Sequence, residues 1–166
     1  MADSFDMLGL PRSWRLTAQE IRTAQRKCSI VAHPDRQPDP VARQNSLQQA
    51  SRINAAANEL LDPMSRGNAL LKSFEPRPKP TDPKPTAEFL MSMMALREAV
   101  DAATQDKQAR AVVVAQVSAQ LSAIELETDA AMMALIKRPE PDTWCAAFDA
   151  LNRLRSMRRA HAECAQ

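Results

Sequence analysis

An all-α fold, with an N-terminal helical hairpin and a C-terminal three-helix bundle, follows from three features of this chain. Only two glycines occur in 166 residues, no stretch alternates apolar and polar residues as a half-buried strand would, and apolar side chains recur at three- and four-residue steps. Prolines supply the punctuation, and five of them cluster at positions 76, 78, 80, 83 and 85. Proline lacks a backbone donor and fixes φ, so neither helix nor sheet propagates through residues 75–86. That segment reads as a stiff, extended linker joining a domain at 1–74 to one at 87–166.

Within the first domain a short helix is expected at Ser4 to Leu8, and a longer one from residue 17 to 32. Thr17 followed three positions later by Glu20 has the spacing of a capping box, in which hydroxyl and carboxylate satisfy each other's backbone donors. Ile21, Ala24, Cys28 and Val31 make one apolar stripe, while Arg22, Arg26 and Lys27 point away from it. Pro34 must end this helix, which places His33-Pro34-Asp35 on a loop running to Pro40. A second helix spans residues 41 to 61 through Leu47, Ala50, Ile53 or Asn54, Ala57, Leu60 and Leu61, and Asp62-Pro63 closes it and caps a short helix carrying Met64, Leu70 and Leu71.

Three helices are expected beyond the linker. The first carries Phe89, Met93, Leu96 and Val100; the second Val113, Val117, Leu121, Ile124 and Leu135; the third starts near Asp142, its expected cap, and carries Trp144, Phe148, Leu151, Leu154 and Met157. The first of these has a second apolar face. With about 100° of rotation per residue, Met93, Leu96 and Val100 lie within about 40° of Phe89, whereas Leu90, Met91, Met94 and Glu98 fall roughly 100° to 200° away. Exposed apolar patches rich in methionine suit partner recognition, because the thioether side chain adapts its shape.

Composition restricts the function further. A formal charge of +2 gives no general attraction to nucleic acid or anionic lipid, and no apolar run approaches the roughly twenty residues that cross a bilayer. With no secretory or transit-peptide character at the N-terminus, a cytoplasmic location is expected. Cys28, Cys145 and Cys164 lack disulfide or cluster-ligand spacing, and His161 with Cys164 makes only two potential metal ligands. No catalytic residue, metal site or cofactor is therefore expected. His33 and Asp35 have neither a nucleophile nor a ligand set beside them.

Phe5-Asp6-Met7-Leu8-Gly9-Leu10-Pro11, His33-Pro34-Asp35, the run from Ile53 to Pro63, Arg66 and Leu70-Leu71 together resemble a J-domain, and more narrowly the HscB type of iron-sulfur assembly co-chaperone. The J-domain resemblance implies that His33, Pro34 and Asp35, assisted by Arg22, Arg26 and Lys27, engage a heat-shock chaperone ATPase of the DnaK/HscA class. Phe89-Leu90-Met91 with Leu96-Arg97-Glu98 resembles the family segment that binds the scaffold protein IscU, which makes Leu90, Met91, Met94, Arg97 and Glu98 the client-binding candidates. The chain departs from the family pattern at Ala32 and Ala69, where aromatics are common, at Ala95 and Ala102, where acids are, and near Ser156, where an aromatic contact is expected. The expected role is an adaptor that stimulates the chaperone ATPase and delivers the scaffold, with a J-domain co-chaperone for another client as the alternative. A helix-turn-helix DNA-binding protein is disfavoured by Asp35, Asp39 and the near-neutral charge.

Overall fold

The structure, a computed structural model, describes residues 3–32, 39–103 and 107–164. Seven α-helices are present among them, α1 (Ser4–Leu8), α2 (Ala18–Val31), α3 (Pro40–Leu61), α4 (Pro63–Ser73), α5 (Ala87–Ala102), α6 (Lys107–Lys137) and α7 (Pro141–Cys164), with no strand. They divide into two compact units, Met1–Phe74 and Glu75–Gln166.

In the first unit each helix start is specified locally. Asp3 accepts from the Asp6 amide, Thr17 and Glu20 form the complete capping box, and Asp62 accepts from Ser65 N. Asp39 accepts from Val41 N at 3.1 Å and Ala42 N at 3.0 Å, with Pro40 in the first turn. Pro40 thus opens α3 instead of belonging to the preceding loop, since a missing N–H costs nothing at that position. Gly9 ends α1 at φ 62, a left-handed conformation that glycine adopts without a Cβ penalty.

The core of this unit is Phe5, Leu8, Ile21, Ile53, Ala57, Leu60 and Leu70, so that α1, α2, α3 and α4 all contribute. α2 and α3 pack side by side, and Gln25 Nε2 donates to Asn54 Oδ1 at 2.8 Å. Two expected stripes need correction. Val31 is largely exposed and Ala24 and Cys28 are half-buried; α1, only five residues long, meets α2 at Cys28, whose Sγ lies 3.7 Å from the Met7 carbonyl. Leu47 is also exposed and Ser46 is buried instead, since seven residues before the buried Ile53 lies position 46.

Arg66 fastens the base of the unit. Its Nη1 donates to the carbonyls of Leu16 at 2.8 Å and Leu60 at 3.1 Å, and its guanidinium stacks 5.6 Å from the Trp14 ring. Burial pulls the Arg66 pKa below its ordinary value, an effect the Asp62 carboxylate opposes.

The second unit is organised by α6 and α7, which run antiparallel. Arg110 donates to the Cys164 carbonyl, Ser118 Oγ lies 3.1 Å from His161 Nε2, Arg158 pairs with Glu125 at 2.8 Å, and Thr128 Oγ1 donates to the Ala150 carbonyl at 3.2 Å. Val117, Ile124, Met132 and Leu135 interlock with Trp144, Leu151, Leu154 and Met157 between the two. The start of α7 lies one residue before the expected Asp142: Pro141 occupies the first turn, and Thr143 Oγ1 accepts from Glu140 N at 3.1 Å. Residues 75–86 belong to this unit, where Lys79 bridges Glu75 and Asp82 and lies 5.6 Å from the Trp144 ring.

Candidate interaction surfaces

The α2 cations are displayed as their spacing predicts. Arg22, Arg26 and Lys27 are exposed, and Arg26 Nη2 makes one long hydrogen bond, 3.5 Å, to Thr23 Oγ1 within the same helix. Lys27 forms one wall of a shallow groove between α1 and α2, whose sides include Leu8, Leu10, Glu20 and Ala24. Glu20 is committed to the cap: bonds from Thr17 hold its carboxylate below the usual range. His33, Pro34 and Asp35 lie outside the described residues.

α5 shows how a helix becomes a display surface. Thr86 caps it through the Phe89 amide, and Leu96 is its one buried residue; Phe89, Met93 and Val100 are half-buried on the same side. Arg153 of α7 holds that side, its guanidinium 5.5 Å from the Phe89 ring and its Nη1 3.0 Å from Glu127 of α6. Opposite, Leu90, Met91 and Met94 are 50%, 70% and 64% exposed, and Arg97 and Glu98 are exposed beside them. Three large apolar side chains left in water next to a charged pair make an amphipathic helix face of the kind that enters a partner's groove.

Two of the positions that depart from the family pattern in this unit, Ala95 and Ala102, are exposed on α5 and offer no polar group. Ser156 is half-buried and its hydroxyl donates back to the Asn152 carbonyl at 3.1 Å. Among the described residues no three of His, Cys, Asp and Glu gather to hold a metal, and no helix is long and apolar enough to cross a membrane. Cys164 is buried, and burial, joined by Glu163 and opposed by Arg110, pushes its thiol pKa up. Sequence reasoning missed Arg153, whose role depends on a ring and a carboxylate far from it in the chain.

Comparison with known proteins places this architecture. Residues 85–164 match the family model described as the HSCB C-terminal oligomerisation domain. The chain superposes on the chaperone HscB from Vibrio cholerae with a TM-score of 0.68 at 23% identity, covering 99% of this chain and 96% of that one. On the crystal structure of human co-chaperone protein HscB the TM-score is 0.75 at 21% identity, covering 99% and 81%. The fold is therefore the one these structures share, a J-like domain followed by a helical bundle. Sequence relatives include the co-chaperone protein HscB homologs of Bordetella avium, 35% identical over 112 residues (66% of this chain, 67% of the relative), and of Bordetella petrii, 32% identical over 123 residues (72% and 70%). The chain belongs to the HscB co-chaperone family.

Proposed function

We propose that this protein stimulates the ATPase of a DnaK/HscA-type chaperone and delivers an IscU-type iron-sulfur scaffold protein to it. Arg22, Arg26, Lys27, His33, Pro34 and Asp35 engage the chaperone, and Leu90, Met91, Met94, Arg97 and Glu98 engage the scaffold. The protein works in the cytoplasm as an adaptor, and the hydrolytic chemistry belongs to the chaperone. The observation that carries this reading is the exposed apolar face of α5 in a member of the HscB family. Binding both partners raises the scaffold's effective concentration at the chaperone, so modest individual affinities suffice. Self-association of the C-terminal unit is included in the proposal, on the strength of the oligomerisation named in the matching family description.

The test is steady-state ATP hydrolysis by a DnaK/HscA-type chaperone with and without this protein and the scaffold. Stimulation by the native chain is expected, and its loss in His33→Gln with circular dichroism unchanged. Full stimulation by folded His33→Gln refutes the chaperone-docking role. A J-domain co-chaperone for a different client is the second reading, favoured by Ala95, Ala102 and the inward-bonded Ser156. It predicts ATPase stimulation without scaffold binding.

A further inference from the structure

α6 is apolar on both sides. Its buried side, Val117, Ile124, Thr128 and Leu135, faces α7. At about 100° per residue, Val112, Ala115, Ala119, Leu126, Ala130 and Met133, with Ser122 as the one polar residue among them, fall within about 40° of the opposite direction. All six are exposed, Val112 by 65% and Leu126 by 72%. Every charge between Val112 and Met133 lies outside that sector: Glu125 and Glu127 turn to Arg158 and Arg153 of α7, and Asp129 sits on the flank. A helix uncharged on both sides over six turns is a helix with a second surface to cover.

The outward residues are arranged to suit a second copy of themselves. If two α6 helices pack antiparallel about a two-fold axis between Ser122 and Ala123, the bulky Leu126 of one copy stands level with Ala119 of the other. Ala115 then stands level with Ala130, which lets the backbones approach, and Val112 meets Met133 at either end. The same alignment sets Glu125 level with Gln120, Glu127 with Ser118 and Asp129 with Gln116, so no two carboxylates meet. Parallel, in-register packing would set Asp129, the one acid on the flank of the strip, level with its own copy, where like charges repel.

We infer that the outer face of α6, centred on Ser122 and Ala123, is the surface through which two copies of this chain associate as an antiparallel, two-fold pair. This inference rests on the self-association included in the proposed function and assigns its surface. The contact strip runs about 32 Å along the helix and is roughly one helix wide, on the order of 300 Å² per copy. That is less than half of a standard interface, so the pair is weak and its population depends on concentration.

Sedimentation equilibrium of the full chain from micromolar to millimolar concentration tests it, with circular dichroism as the check on folding. The native protein is expected to pass from one chain to two. Leu126→Lys, at an exposed position flanked by two glutamates, is expected to keep its helicity and weaken association at least about tenfold. Adding Ala119→Glu to Leu126→Lys is expected to restore association, because positions 119 and 126 face each other only in the antiparallel register. A native chain that stays monomeric at millimolar concentration overturns self-association altogether. A dimer insensitive to Leu126→Lys overturns the α6 face alone, and failure of the second substitution to restore overturns the register. The ATPase assay reads the co-chaperone function separately.

Discussion

α1 and α5 are both helices at the start of their units, and they use their side chains in opposite ways. α1 has five residues and buries two of them, Phe5 and Leu8, completely or nearly so. Arg12 clamps it by pairing with Asp3 and Asp6, and Ser73 Oγ donates to Asp3 at 2.9 Å. α5 has sixteen residues and buries one, Leu96. A short helix cannot sustain itself through its own hydrogen bonds, so α1 exists because its neighbours hold it. α5 is held lightly along one side, and the remainder of its apolar surface stays exposed. Burial per residue thus separates a wedge from a display.

The sharpest way to break this contrast is truncation of each helix's aromatic residue. Phe5→Ala should cost about 3–5 kcal/mol, much of the roughly 4–11 kcal/mol available to a 74-residue unit. Chemical denaturation of the first unit would then begin at far lower denaturant. Half-buried Phe89 should cost about 1–2 kcal/mol on truncation. Equal losses in the two variants would show that α5 is as deeply anchored as α1.

Arg153→Met tests the hold on α5. It removes one partly exposed ion pair and one cation–π contact, together about 1 kcal/mol. The expected result is a small shift in melting temperature with weaker scaffold binding, since α5 then samples more orientations. Unchanged scaffold affinity in calorimetry would mean that the display does not depend on this arginine.

Acid sharpens the α1 side. Burial alone would raise the Asp3 carboxyl, but donors from the Asp6 amide, Ser73 and Arg12 outweigh it and hold the pKa below its ordinary value. The unfolded chain therefore takes up a proton at a higher pH than the folded one. The stabilisation from Asp3 is fully present above about pH 4, the unfolded carboxylate value, and is lost as pH falls through the lower folded pKa. Asp3→Asn should lower stability at neutral pH and flatten the acid limb of a melting-temperature profile; an unchanged limb would exclude Asp3 as its source.

The smallest stability effect is expected where the effect on binding is largest. Leu90→Ser with Met94→Ser changes two exposed side chains and should move the melting point within the range of about 0.5 kcal/mol, while weakening scaffold binding at least about tenfold. A large loss of helicity would show instead that this face is core.

Helix periodicity and capping chemistry made most of the fold legible. The Thr17–Glu20 box and the Asp62-Pro63 boundary are settled within four residues of chain, so local physics decides them. Val31, Leu47 and Asp142 were misplaced for the opposite reason. Whether an apolar stripe is covered along its whole length depends on how far the neighbouring helix reaches, and the cap moves two residues, from Asp142 to Glu140, when Pro141 takes the first turn. The two apolar sides of α5 were readable from 100° geometry, and the Leu90, Met91 and Met94 side is exposed as expected while Leu96 is buried.

By itself, then, the sequence determined that the chain is helical, where prolines divide it, and which residue types sit beside the His33-Pro34-Asp35 motif. The tertiary structure alone decided that Val31 and Leu47 stay exposed, that Arg153 reaches Phe89 and Glu127 together, and that the far side of α6 remains uncovered. The physical reason is one of range. Backbone donors, proline rings and helical rotation act within a turn or two, whereas burial is a property of a residue together with whatever the rest of the chain brings against it.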